Sequence, residues 1–273
     1  MADNRPIGVF DSGIGGLTVL REIWDQCPNE STVYFGDNSR APYGTKSRST
    51  VIKYSLQNMR FLESKDVKMI VIACNTASAY AYDELKAKSR VPVIEVVTPG
   101  ADAACRATKS GKIGIIATGA TVSTGVYSKA IYARAKELGM EDIDITSRAC
   151  PLFVSLAEEG WWNTEVTRLV AREYLKPIKD AGVDTLVMAC THYPLLTEVI
   201  SEVMGDGVTL VNTGKATAKV VKEALKGMEA SGDSVKEFYT SDEPEMFESV
   251  ASPFLGRGLP SGTKHYSTDR FEA

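Results

Sequence analysis

The chain has 273 residues, 44% of them hydrophobic, and its 31 Lys and Arg against 35 Asp and Glu give a net charge of -4. That length accommodates one large domain or, better, two α/β domains of ordinary size, and the lack of any basic block argues against nucleic acid as a partner. No apolar run approaches the roughly 20 residues that span a bilayer, and Met1-Ala-Asp-Asn-Arg-Pro6 lacks a signal peptide's apolar region, so no membrane partner and a cytoplasmic location are expected.

Ile7 to Phe10 reads as a short strand running into Asp11-Ser-Gly-Ile-Gly-Gly-Leu17, with an amphipathic helix from Leu17 to Trp24. The glycines suit a tight strand-to-helix turn with backbone close to a ligand, but the spacing is not the G-x-G-x-x-G of dinucleotide sites. Asp11 stands at the strand end, where a helix cap is the plain alternative to a chemical role. Val33 to Phe35 is a second strand, followed by a turn-rich loop to Gly44. Ser47 to Ser64 has helical spacing. Met69 to Ile72 is then a β-branched apolar run without alternation, as in a strand covered on both faces. It delivers Cys74 to the start of a helix from about Ala79, a position whose unpaired N–H groups favour a thiolate.

Val93 to Val96 is another strand, and Thr98-Pro-Gly100 breaks the pattern as a candidate hinge before a helix from Ala101 to Lys109. Strands follow at Lys112 to Ala117 and Ile143 to Arg148, then a long helix from Thr164 to Ala181. Asp184-Thr-Leu-Val-Met-Ala-Cys190-Thr-His-Tyr-Pro194 repeats the strand-end cysteine, with a helical pattern from Leu195 to Met204. Val208 to Val211 and Lys236 to Thr240 are strands, separated by a helix from Lys215 to Lys226 and a polar linker. Pro244 to Leu255 is a terminal helix, and a surface tail is expected from Gly256 onward. The alternation predicts an α/β protein of two similar parallel-sheet domains facing each other across a cleft, 1–97 plus 209–273 and 98–208.

A single buried cysteine is more often an inert core residue than a reactive one. The second copy reverses that preference. Five cysteines, Cys27, Cys74, Cys105, Cys150 and Cys190, are odd in number and without a C-x-x-C pair, so neither a disulfide framework nor a metal site is indicated. Ligands of open α/β sheets bind outside the carboxyl ends of the strands, which here carry Asp11 and Ser12, Cys74 with Asn75 and Thr76, Thr118 with Thr121, and Cys190 with Thr191 and His192. A Cys/His pair alone would suit a thiol protease or acyl transferase, but that chemistry leaves the matching cysteine without a task. Two thiols facing one carbon acid suit removal of a proton from one face and delivery to the other, which is racemisation.

At Asp11-Ser-Gly-Ile-Gly-Gly-Leu17, Ala41-Pro-Tyr-Gly44, Ala73-Cys-Asn-Thr-Ala77, Cys150-Pro-Leu-Phe-Val154 and Cys190-Thr-His-Tyr-Pro194 the chain closely resembles the bacterial glutamate racemases of the aspartate/glutamate racemase superfamily. Phe238-Tyr-Thr240 and Phe254-Leu-Gly256 extend the match over nearly the whole chain. The resemblance implies cofactor-independent interconversion of L- and D-glutamate, with D-glutamate supplied to peptidoglycan. It implies Cys74 and Cys190 as acid/base groups on opposite faces, assisted by Asp11 and His192, with Glu158 or Glu159 supporting the second half-site. It further implies that Asp11, Ser12, Pro42, Tyr43, Gly44, Asn75, Thr76, Thr118, Thr121, Thr191 and His192 bind substrate. Glutamate is thus the expected partner, with a homodimer left open. Ala117, Ala189, Asn212 and Ser155 depart from the family's common residues, and the two alanines are expected to add a methyl near the pocket. Racemisation of aspartate or a hydantoin, and a non-catalytic two-domain binding protein such as the family members linked to gyrase inhibition, are the competing readings.

Overall fold

The computed structural model describes residues 2–269 and 271. The elements run β1 (Ile7–Asp11), α1 (Leu17–Gln26), β2 (Thr32–Gly36), α2 (Arg48–Glu63), β3 (Met69–Ile72), α3 (Asn75–Lys88), β4 (Val93–Glu95) and α4 (Val97–Ala107). A second series follows: β5 (Lys112–Ala117), α5 (Gly119–Thr124), α6 (Val126–Glu137), β6 (Asp144–Ala149), α7 (Leu152–Glu158), α8 (Glu165–Asp180), β7 (Thr185–Ala189), α9 (Thr197–Met204) and β8 (Thr209–Asn212). The chain closes with α10 (Thr213–Ala224), β9 (Lys236–Thr240), α11 (Pro244–Leu255) and β10 (Thr263–His265).

Two parallel sheets result, of strand order β10-β9-β2-β1-β3-β4 and β6-β5-β7-β8. The first four strands of each series take the same relative order, so the halves are built alike. Both sheets are covered on both faces, which explains the missing alternation. In β3, Met69 and Val71 pack into one core while Ile70, Ile72 and then Cys74 pack into the other. In β7, Val187 and Ala189 face one core, and Leu186, Met188 and then Cys190 the other. Each cysteine therefore continues the register of a central strand of its sheet, beside the strand at which the order reverses.

Three expectations are corrected. Residues 98–100 are not a break but the first turn of α4, where Pro99 has no helical N–H to lose and the buried Glu95 carboxylate accepts from the Val97 and Thr98 amides. The boundary after residue 208 cuts β8 from its own sheet, because Thr209–Asn212 pair with β7 and the chain returns to the first half only through α10. Beyond Gly256 the chain is more than a surface tail. Thr263–His265 extend the first sheet, Thr268 is buried, and Tyr266 packs on Phe61 with ring centroids 4.3 Å apart. Arg270, Glu272 and Ala273 lie outside the described residues.

Candidate active site

The carboxyl ends of β1 and β3 meet those of β5 and β7 around one small cavity of about 30 Å³. Its wall is Ser12, Pro42, Tyr43, Gly44, Cys74, Asn75, Thr76, Thr118, Val154, Cys190, Thr191 and His192. Asp11 and Thr121 stand behind that wall: Asp11 is fully buried at the end of β1, and Thr121 bonds Thr118 and Thr76 from below.

On the first side, Cys74 is the N-cap of α3, its Sγ accepting from the Ala77 amide at 3.4 Å. The helix start and the Ser12 hydroxyl favour a thiolate, as the sequence suggested, but they lose. Burial and the nearby Asp11 charge push the Cys74 thiol up to about 12, so it is held protonated. Burial also raises the pKa of Asp11, opposed by His192 and by the amides of Gly13, Gly16 and Ser12. One Asp11 oxygen accepts from Gly13 N at 3.1 Å, while the other has no hydrogen-bond partner among the described residues. Such a carboxylate is a ready proton acceptor.

The second side has different support. Cys190 is followed by a short 3₁₀ turn, Tyr193–Leu196, rather than by a capped helix. The His192 Nδ1 lies 3.9 Å from Cys190 Sγ, and its Nε2 lies 2.8 Å from Glu158 Oε1 at the end of α7. Burial pushes the imidazole pKa down, but Cys190 and Glu158 overcome it and raise His192 to about 10. The ring is charged at neutral pH. Glu158, not Glu159, is thus the acid that reaches this half-site. Phe254 from α11 meets the imidazole edge-to-face at 5.5 Å.

Why the two sides fit so closely is written in the glycine turn. A Cβ on Gly15 would lie 2.3 Å from Thr191 Oγ1 and 2.6 Å from the His192 ring, so its backbone packs directly on the second half-site. Gly44 likewise lies against Thr118, where a Cβ would stand 3.0 Å from that of the threonine. Across the seam Thr76 Oγ1 is 3.1 Å from Thr118 Oγ1, and Tyr127 donates to Asn75 Oδ1 at 2.5 Å. Tyr43 is held in the cavity wall by Asp37 and by Asn58 Nδ2 at 3.0 Å.

Val154, Tyr127 and Phe254 were not anticipated as site residues. Apolar side chains within helical patterns carry no local mark of a cavity wall, and Tyr127 becomes relevant only through a contact 52 residues away in sequence. The methyls of Ala117 and Ala189 are buried in the core of the second sheet and do not line the cavity, contrary to expectation. Asn212 caps α10, accepting from Lys215 N at 3.1 Å, a task an aspartate would also perform. Among the described residues no three His, Cys, Asp or Glu side chains gather as metal ligands, and no helix is long and apolar enough to cross a membrane.

Residues 7–221 match the family model described as Asp/Glu/Hydantoin racemase. A glutamate racemase of Geobacter metallireducens is 48% identical over 259 residues, covering 93% of this chain and 94% of that protein. Among solved structures, a glutamate racemase of Bacillus anthracis superposes with a TM-score of 0.90 at 36% identity, covering 96% of this chain and 97% of the other. The Francisella tularensis glutamate racemase in complex with D-glutamate gives a TM-score of 0.89 at 37% identity, covering 98% and 99%.

Proposed function

The chain belongs to the Asp/Glu/Hydantoin racemase family, and on that premise we propose that it interconverts L- and D-glutamate, with Cys74 and Cys190 as the two acid/base groups. The observation that carries the reading is the placement of the two thiols, each continuing a central strand of its own sheet and both walling one cavity.

The charges divide the roles. The imidazolium of His192 is the cation beside the Cys190 sulfur, while burial and Asp11 keep Cys74 protonated. In the L-to-D direction, Cys190 takes the α-proton from one face and Cys74 gives its own to the other. In reverse, Cys74 must first lose its proton, and in this reading Asp11, whose buried carboxyl is less acidic than usual, receives it. His192 then keeps Cys190 supplied with a proton. Hydroxyl and amide donors of Ser12, Asn75, Thr76, Thr118 and Thr191, with Pro42, Tyr43 and Gly44 shaping the wall, bind the carboxylates and stabilise charge developing at the α-carbon. A cavity of about 30 Å³ is too small for an amino acid. Substrate therefore enters when the two sheets' ends part, and their closure excludes water, which strengthens every charge interaction in the site.

The reaction needs no cofactor in this reading, and its product is the D-glutamate of peptidoglycan precursors, which places the enzyme in the cytoplasm. A homodimer is left open; sedimentation velocity decides it. Circular dichroism of incubations with L-glutamate and with L-aspartate tests the substrate: optical activity of glutamate decays and that of aspartate persists. The opposite preference overturns the reading.

A further inference from the structure

The geometry points to Tyr127 as a positioning residue that fixes which way the Asn75 carboxamide faces, so that its NH2 group is presented to an anionic group of the substrate. Tyr127 is 2% exposed in the first turns of α6, in the second half of the molecule, whereas Asn75 opens α3 in the first. The phenol is surrounded by acceptors: Asn75 Oδ1 at 2.5 Å and the Val96 carbonyl at 3.5 Å. A hydroxyl has one proton to give, and the shorter contact receives it. With Oδ1 committed to Tyr127, the remaining amide nitrogen is the group Asn75 has left to offer. That nitrogen is buried, has no hydrogen-bond partner among the described residues, and belongs to a side chain that walls the cavity. A buried N–H2 without a partner is costly unless a ligand supplies one.

The position of the phenol adds a second element. Val96 immediately precedes α4, through which the chain leaves the first sheet, and Thr213 begins α10, through which it returns. A Cβ on Gly100 in α4 would lie 3.2 Å from the Tyr127 ring and 2.8 Å from Thr213, so no slack exists where these segments meet. The Tyr127 hydroxyl therefore touches the first crossing and a cavity residue at once, while its ring and Thr213 of the second crossing crowd the same face of Gly100. It gives Asn75 its orientation only when the halves stand in this relation, so the amide is offered as the site closes.

The inference rests on glutamate as substrate, and wild-type turnover in the same assay establishes that independently. Tyr127→Phe keeps the ring and removes only the hydroxyl. It is expected to raise KM for both enantiomers about tenfold, the worth of a hydrogen bond to a charged group, with a smaller fall in kcat and a melting temperature lowered by only a few degrees. In an Asn75→Ala background the same substitution is expected to change KM by less than about twofold. Asn75→Asp, which sets an acceptor where the amide nitrogen stood, is expected to raise KM at least as far and gives a readout independent of the folding of Tyr127→Phe. With wild-type turnover normal, an unshifted KM in Tyr127→Phe, an equal loss in the Asn75→Ala background, or a wild-type KM in Asn75→Asp overturns the inference alone.

Discussion

Thr18, buried on α1, donates its hydroxyl to the main-chain carbonyl of Thr191 at 2.8 Å, tying the helix that follows Asp11 to the loop that carries Cys190 and His192. The two half-sites are thereby joined through backbone as well as through the cavity they share. Thr18→Val, which keeps the volume and removes the donor, should cost about 1 kcal/mol of stability. It should also lower kcat/KM for both enantiomers by the same factor, because the equilibrium between mirror images fixes their ratio. Steady-state kinetics beside thermal denaturation check both; unchanged kinetics would show that the tie does not set the site's geometry.

Gly15→Ala probes the same seam by sterics. The added methyl collides with Thr191 and His192, which are buried and cannot both step aside. Activity should fall by at least about a hundredfold, as expected when reacting groups are displaced by an ångström, while the first sheet stays folded. Near-normal turnover with a wild-type circular dichroism spectrum would contradict the close approach.

For the Cys74 side, the raised pKa owes most to burial and next to the Asp11 charge. Asp11→Asn should therefore lower the thiol's pKa and speed its alkylation by iodoacetamide at pH 8, while slowing racemisation because the proton acceptor is gone. Mapping alkylated cysteines by mass spectrometry separates Cys74 from the others. Slower alkylation at Cys74 would mean that Asp11 activates the resting thiol instead of restraining it.

His192 binds its proton more tightly in the folded protein, with a pKa of about 10, than in the unfolded chain, at about 6.5. Its contribution to stability is complete below about pH 6.5 and is lost as pH rises through about 10. Glu158→Gln removes one of the two groups that raise this pKa, so the alkaline limb of the kcat/KM profile should move to lower pH. The movement should be modest, because the Glu158 side chain is 49% exposed and water screens it. An alkaline limb that stays in place or rises would contradict the pairing.

Much of this site was legible in the chain because parallel strands buried on both faces announce themselves as unbroken apolar runs. Met69 to Ile72 and Thr185 to Ala189 pointed to Cys74 and Cys190 for that reason. Sheet membership was not legible: Val208 to Val211 reads as a strand wherever it pairs, and only the ladder to β7 assigns it. The proline and glycine of 98–100 suggested a break because local propensity is blind to the Glu95 carboxylate that caps the helix there. The contacts of Tyr127 and Phe254 with the site were not legible for a related reason. They cross the seam between the halves, where no periodicity extends.

Two thiols serving opposite faces of one substrate would leave a distinctive pattern of solvent deuterium. Wild-type enzyme is incubated in deuterium oxide with each enantiomer of glutamate, and early samples are resolved by chirality and mass. One deuterium in the product enantiomer and almost none in recovered substrate are expected from either starting enantiomer, with both racemisation reactions abolished in Cys74→Ser and in Cys190→Ser. Substrate that gains deuterium as fast as product does, or a serine variant that keeps near-wild-type turnover in both directions, would contradict the two-thiol mechanism.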